Sequence, residues 1–232
     1  MLWMRGRSLI GVLLAGGVSA CGGGGASDNG VASKSAAAIF SATRVAVDGL
    51  KSVRISGSLV SGGTPITLDL RLVAGKGASG SMSEDGLGFR IVAVDNVAYI
   101  NGSPAFWKHF GGAAAATLFN GKWLKASATS GSFATLGALT NLHELFGQLF
   151  STKDTLAKTA TSTVDGQKVI GVRDVSQGGT LYVATTGKPY PIEIAKTGSD
   201  SGRITFDQFN ESVSLTPPSS SISLSQLEKG AG

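Results

Sequence analysis

Two histidines and one cysteine limit the metal and nucleophile chemistry that this 232-residue sequence could perform. His143-Glu144 begins like the zinc motif H-E-x-x-H, but Gly147 stands where the second histidine ligand would be. The other histidine, His109, lies on a separate segment of the sequence. We therefore expect both histidines to be surface or helix-packing residues, and we predict no metal site.

The glycine-rich run GKGASG at residues 75–80 fits the dinucleotide pattern G-x-G-x-x-G. That motif needs a helix directly after it, because the helix N-terminus faces the pyrophosphate. The following residues, SMSEDGLG, have no helical apolar face. We predict a glycine-rich hairpin at this position and no bound cofactor.

Signatures of a catalytic nucleophile are missing, since neither G-x-S-x-G nor S-x-x-K occurs in the sequence. We therefore expect that the protein is not an enzyme. Sequence spacing does not show whether two carboxylates share a cleft, so an enzyme that uses paired carboxylates is kept as an alternative.

The N-terminus has the features of an export signal. Arg5 and Arg7 provide a positively charged start, and an apolar run extends from Leu9 to Leu14. This run is much shorter than the roughly 20 apolar residues that span a bilayer. The sequence thus predicts a cleaved signal peptide over residues 1–20.

The end of this signal, Val18-Ser19-Ala20-Cys21, resembles the lipobox of bacterial lipoproteins. The resemblance implies that Cys21 is the lipid-attachment residue. It also implies that the mature protein is extracytoplasmic and held at the cell membrane by its N-terminal lipid. An ordinary secretory signal with a chance cysteine is the alternative.

A tether and a single domain are predicted after the signal. Residues 21–33 consist of the cysteine and small or polar residues, which are typical of a flexible linker. Residues 34–232 are enough for one domain, and no disulfide is expected because the chain has a single cysteine. The formal net charge of +5 includes Arg5 and Arg7 of the signal, and such a small charge argues against a nucleic-acid partner.

Helical periodicity occurs in one N-terminal segment and in two central segments. KSAAAIFSATRVAVDGL predicts a helix with Ser33 as N-cap and Gly49 near its end. Its inward face is expected to contain Ala36, Phe40, Thr43, Val47 and Leu50. SPAFWKHFGGAAAATLFNG and SFATLGALTNLHELFGQLF also predict helices, with a short strand in GKWLKAS between them. We predict that the second central helix, residues 133–150, is a lid.

Alternating apolar and polar residues predict antiparallel strands before and after the central helices. In VRISGSLV and PITLDLRLV, Arg54, Thr67, Asp69 and Arg71 take the face opposite the apolar residues. Strands are also predicted in SGSMS, GFRIVAVD and VAYIN, and again from TATSTV to the last proline pair, with a hairpin turn at Asp165-Gly166. This order of elements predicts an α+β fold with helices on one side of an antiparallel sheet.

The lipobox, the tether and this order of segments resemble the LppX/LprA/LprF/LprG-type lipoproteins of mycobacteria. More distantly, the sequence is similar to the LolA/LolB carriers. The likeness covers most of residues 34–220, and its best match is the stretch in which TGKPYP joins two strands ahead of GRITF. It implies a half-barrel, a curved antiparallel β-sheet with helices covering the concave face and an apolar cavity for acyl chains between them.

The same resemblance supplies candidate cavity residues and no catalytic residue. They are apolar positions on the matching strands and helices: Val53, Ile55, Leu59, Ile66, Leu68, Leu70, Leu72, Phe89, Ile91, Tyr99, Phe133, Leu136, Leu139 and Phe146.

These expectations combine into a lipid-anchored carrier or chaperone. It would bind acylated lipids or glycolipids and move them across the cell envelope, with an envelope transport protein as a further partner. Periodicity alone also fits a closed core, because most amphipathic sheets pack their apolar face completely. The alternative is therefore a membrane-tethered protein-interaction module with a filled core and no ligand.

Overall fold

A computed structural model describes residues 27–129, 134–151 and 155–230. The predicted signal peptide, Cys21, the first part of the tether and Phe133 lie outside the described residues. Within the described part, twelve strands form one large curved sheet that does not close, and five α-helices accompany it. The α+β half-barrel predicted from the sequence is confirmed.

The strands are β1 Ser52–Ser61, β2 Thr64–Val73, β3 Gly77–Glu84, β4 Leu87–Val94, β5 Val97–Gly102, β6 Leu124–Ser127, β7 Leu156–Val164, β8 Gln167–Asp174, β9 Thr180–Ala184, β10 Pro191–Lys196, β11 Gly202–Asp207 and β12 Ile222–Ser223. The helices are α1 Ala36–Asp48, α2 Pro104–Leu118, α3 Ala134–Leu139, α4 Leu142–Leu149 and α5 Leu224–Gly230, with a 3-10 turn at Val31–Ser33.

Strand β1 lies near the middle of the sheet and joins its two halves. Ile55 of β1 pairs with Leu70 of β2 on one side and with Phe206 of β11 on the other. The strand order is β12-β6-β5-β4-β3-β2-β1-β11-β10-β9-β8-β7. Neighbouring strands are antiparallel except β12 and β6, which are parallel. The sheet is therefore mixed, whereas the sequence predicted a purely antiparallel one. The connection after β11 returns the chain to β6, and this long-range pairing leaves no local sequence signal.

Two sequence predictions about turns are confirmed. Asp165 and Gly166 form the two-residue connection between β7 and β8, with φ of 46° and 77°, as a tight hairpin requires. The GKGASG run continues into strand β3 and not into a helix. A Cβ built at Gly80 would collide with the carbonyl oxygen of Asp69 on β2, so close approach of two strands explains this glycine.

Helix α1 begins two residues later than predicted. Ser35, not Ser33, is the N-cap, and its hydroxyl accepts a hydrogen bond from Ala38 N. Gly49 ends the helix as expected. Ile39 is fully buried on the inward face, together with Thr43, whose hydroxyl donates to the Ile39 carbonyl.

The single helix predicted over residues 133–150 is wrong, because two helices occupy the segment. The break follows Thr140, whose hydroxyl donates to Gly137 O, and Asn141 then caps α4. The Asn141 side-chain oxygen accepts hydrogen bonds from the backbone N–H groups of His143 and Glu144. Local capping therefore starts a new helix where the apolar spacing alone suggested continuity.

Residues 27–33, assigned to the tether in the sequence analysis, are bound to the sheet. Asn29 N donates to Thr185 O, and its side chain donates to Ala184 O at 2.9 Å. Gly187 N donates to Ser27 O, and Val31 is buried. Residues 27–33 therefore pack on the domain, whereas the sequence predicted that they belong to the flexible tether.

Candidate functional site

The inner face of the sheet is largely apolar, with the exposed Glu84 as a charged residue near its edge. Strand register places side chains from neighbouring strands in rows across it, and we number four such rows from the β2–β3 turn toward the β1–β2 turn. Row 1 is Val53, Leu72, Ala78, Ala93 and Ala98, and row 2 is Ile55, Leu70, Gly80, Ile91 and Ile100. Row 3 is Gly57, Leu68, Met82, Phe89 and Gly102, and row 4 is Leu59, Ile66, Glu84 and Leu87.

Rows 1 and 2 are closed by packing. Leu72, Ile91 and Ile100 have at most 1% of their surface exposed. Leu124 of β6 and Phe206 of β11 extend row 2 and are also buried. These side chains make the hydrophobic core that stabilises the fold.

Rows 3 and 4 are covered only in part. Leu68, Met82 and Phe89 of row 3 and Leu59, Ile66 and Leu87 of row 4 are half-buried, although they lie on the same face as the closed core. Ile204 of β11 and Ile194 of β10 continue row 3 and are half-buried as well. The half-barrel therefore has a packed end and an incompletely covered apolar end.

The strand register shows which of the predicted cavity residues on the strands lie on the inner face. All of them do except Tyr99. Nine of them lie on the inner face, distributed over the four rows: Val53, Ile55, Leu59, Ile66, Leu68, Leu70, Leu72, Phe89 and Ile91. Tyr99 pairs with Val92 and Lys125 and lies on the outer face. Its assignment to the inner face is corrected, because strand alternation points its neighbours Ala98 and Ile100 inward instead.

The predicted helical residues occupy different depths. Phe146 of α4 is buried, with its ring centroid 5.8 Å from that of Phe206. Leu136 is half-buried against the core, and Leu139 is half-buried at the end of α3. Leu142 is buried whereas His143 is exposed. Helix α4 therefore packs on the closed part of the sheet and is a structural cover in this conformation.

Helix α2 covers the half-open end with an aromatic cluster that the sequence analysis did not select. Ser103 caps the helix, and Phe106 and Trp107 follow in its first turn, both buried. Phe106 lies 5.0 Å from Phe89 of row 3, and Trp107 lies 4.7 Å from Phe119, centroid to centroid. The bulky aromatics of SPAFWKHF were the available signal, but helical spacing alone did not show which side they would take.

Phe110 extends this cluster to the surface. Its side chain is 66% exposed, although its ring lies 4.8 Å from Phe106. Two residues later, Gly112 has φ of 74° and interrupts the helix. The remaining turns consist mainly of alanine, which buries little apolar surface.

A cavity of about 500 Å³ lies at the packed end, between the sheet and helices α3 and α4. Ala93 and Ala128 line it together with the polar residues Lys76, Asn96 and Glu144. Ala93 is the one row 1 residue in this lining, so the space lies beside the closed core and not within it. A second cavity of about 520 Å³ is lined largely by polar residues of the outer face, among them Thr67, Ser81, Arg90 and Asn101.

The outer face carries the charges predicted for it. Arg54 donates hydrogen bonds of 2.8 Å to both carboxylate oxygens of Asp69, and it also bonds Asp207. The hydrogen bonds from Arg54 hold the pKa of Asp69 below its usual value. These ion pairs are partly solvated and keep the outer face polar.

Glu193 of β10 is an unusual acid on the outer side, because only 2% of its side chain is exposed. Burial raises the pKa of Glu193, while Arg203, with Nη1 3.0 Å from Oε2, opposes that effect. The nearby charge of Asp165 raises the pKa further.

In residues 27–129, 134–151 and 155–230, no three His, Cys, Asp or Glu side chains are placed to hold a metal ion. None of the helices in this part of the chain is long and apolar enough to cross a bilayer.

The large curved sheet that does not close and the helices beside it form an α+β half-barrel that resembles mycobacterial lipoproteins. LprF from Mycobacterium bovis is similar with a TM-score of 0.58 and 13% identity, over 80% of this chain and 97% of that one. The Mycobacterium tuberculosis lipoprotein LppX is similar with a TM-score of 0.53 and 17% identity, over 78% and 98% of the two chains. At these identities the likeness is one of fold.

The predicted resemblance to proteins of the LppX and LprF type is thus confirmed in three dimensions. Sequence comparison adds nothing to it, since no protein-family model and no curated protein matches the chain.

Proposed function

We propose that this protein is a lipid-anchored, extracytoplasmic carrier that binds acylated lipids or glycolipids and moves them across the cell envelope. Cys21 is its lipid-attachment residue, and it performs no catalysis. The membrane and an envelope transport protein are its partners, and nucleic acid is not. The observation that carries the proposal is the half-open end of the apolar inner face, rows 3 and 4.

The physical reason is the cost of hydrating acyl chains. Each CH₂ group transferred from water to an apolar surface contributes about 0.8 kcal/mol. Rows 3 and 4 offer such a surface from Leu59 and Ile66 to Phe89, continuous with the closed core. A chain lying along these rows is shielded while a polar headgroup stays in solvent. The fold likeness to LprF and LppX supports this function.

The test compares two neighbouring residues on β2 that point to opposite faces. Leu68 is half-buried in row 3, and Thr67 is exposed on the outer face. We expect Leu68→Asn to weaken binding of a fluorescent C16 fatty acid, because a polar amide then interrupts the apolar row. Thr67→Asn is the matched control and leaves binding unchanged.

Native mass spectrometry of protein purified without added lipid provides a second measurement. Co-purifying acylated lipid supports the carrier. Protein that is always empty, and that binds the fluorescent fatty acid no better than the Leu68→Asn variant, contradicts it.

The tight packing of rows 1 and 2 favours a second candidate, a membrane-tethered interaction module with a filled core. Leu72 and Ile100 have no exposed surface, so the protein's own side chains fill the inner face at these positions. Affinity capture that returns one stoichiometric protein partner and no lipid supports the module. Lipid bound in proportion to protein excludes it.

A further inference from the structure

Trp107 has a buried hydrogen-bond donor without an acceptor. Only 4% of the residue is exposed, and its indole Nε1 has no hydrogen-bond partner in the structure. Buried indole N–H groups usually find an acceptor, because leaving a donor unpaired in an apolar environment is unfavourable. The position therefore calls for a ligand that supplies one.

The packing around Trp107 fixes where the donor lies. Phe106 contacts the indole edge-on at 5.0 Å, and Phe119 lies 4.7 Å away. A Cβ built on Gly102 would lie 3.0 Å from Trp107 Cε2, the ring carbon bonded to Nε1. Gly102 belongs to row 3 and is paired with Phe89. The donor therefore lies at the β5 end of row 3.

We infer that Trp107 Nε1 donates a hydrogen bond to the carbonyl oxygen of an acyl ester whose hydrocarbon chain follows row 3. The inference rests on the proposed function and adds to it the residue that positions the polar end of the chain. Phe89, Phe106 and Phe119 surround the site, and burying a charged phosphate or carboxylate among such rings is costly. A neutral ester carbonyl supplies the acceptor without a charge.

The test uses two probes of equal chain length that differ in the carbonyl: dipalmitoylglycerol and its dihexadecyl ether counterpart. Binding to the full chain carrying Cys21→Ala is measured by displacement of a fluorescent fatty acid. We expect the ester to bind roughly tenfold tighter than the ether, as one hydrogen bond to a buried donor supplies. Trp107→Phe keeps an aromatic ring, loses the N–H and should remove this preference by weakening the ester alone.

Trp123→Phe is the matched control. Trp123 is half-buried, and the Arg90 guanidinium carbon Cζ lies over its ring, 5.2 Å from the ring centroid. Replacing Trp123 should therefore leave the preference for the ester intact. The indole N–H resonance that disappears in Trp107→Phe identifies the Trp107 signal in the NMR spectrum. That signal should move downfield with the ester and not with the ether.

The outcomes separate this inference from the proposed function. Equal binding of ester and ether, an ester preference that survives Trp107→Phe, or an unmoved indole signal overturns the role of Trp107 while leaving a carrier. Failure of both probes to bind overturns the carrier as well. If Trp107→Phe does not fold, the resonances lost in Trp3→Phe and Trp123→Phe leave the Trp107 signal as the remaining one of the three indoles, and its shift in the parent protein decides.

Discussion

Leu72 and Leu68 lie on the same strand and the same face, four residues apart, yet they should have different roles. Leu72 is in row 1 with no exposed surface, between Val53 and Ala78. Leu68 is in row 3 and half-buried. We predict that Leu72→Ala lowers the free energy of unfolding much more than Leu68→Ala, whereas only Leu68→Ala weakens lipid binding.

The magnitude follows from burial. Removing a fully buried leucine side chain costs about 2–5 kcal/mol, since the transfer energy is lost and a cavity remains. At Leu68 part of the side chain already meets solvent, so water can fill the space, and we expect a loss of about 1 kcal/mol. For a domain of this size the Leu72→Ala loss corresponds to a fall in Tm of about 4–20 °C.

The assay is urea unfolding followed by circular dichroism, with binding of the fluorescent C16 fatty acid measured on the same preparations. The refuting result is equal losses of stability for Leu72→Ala and Leu68→Ala. That outcome would mean that the half-burial of row 3 does not mark a separate, ligand-accessible part of the inner face.

Two other predictions concern Glu193 and Cys21. Burial raises the pKa of Glu193, so the folded protein holds the Glu193 proton more tightly than the unfolded chain does. The contribution of Glu193 to the free energy of unfolding is therefore largest below the pKa of the unfolded chain, and it falls as the pH rises toward the higher pKa of the folded state. Glu193→Gln should therefore gain stability relative to the parent as pH rises from about 4 to 8 in thermal unfolding; a pH-independent difference contradicts this. Cys21→Ala should move the protein from the membrane to the soluble fraction, and unchanged partitioning refutes the lipid anchor.

Strand periodicity predicted most of the inner face, because in the central parts of β1 and β2 apolar residues alternate with polar ones. VAYING was ambiguous, since Val97 and Tyr99 are as apolar as Ala98 and Ile100, and selecting the large ring gave the wrong face. The break before α4 had a readable signal in Asn141 with Glu144 three residues later, which is a capping pattern. Apolar spacing across the break concealed it.

Other features have no local signal. Residues 27–33 have the composition of a linker, and only their pairing with the β9–β10 connection shows that they belong to the domain. The parallel pair of β12 and β6 depends in the same way on a distant partner. Whether the Trp107 N–H has an acceptor depends on how distant side chains pack around it, and local sequence patterns do not show this.

The proposed carrier must stay folded between one load and the next, and the division of the inner face into closed and half-open rows meets that requirement. If the whole apolar face were open, the empty protein would lose the burial that stabilises it, and it would expose a patch prone to aggregation. Rows 1 and 2, together with α1 and α4, provide a core that needs no ligand. Rows 3 and 4 leave a smaller apolar surface exposed. On the proposed function, an acyl chain would cover this surface and stabilise the folded state in proportion to the logarithm of lipid concentration. Lipid should therefore raise Tm in a concentration-dependent way in the Leu72→Ala variant as in the parent, because the two sets of rows make separate contributions.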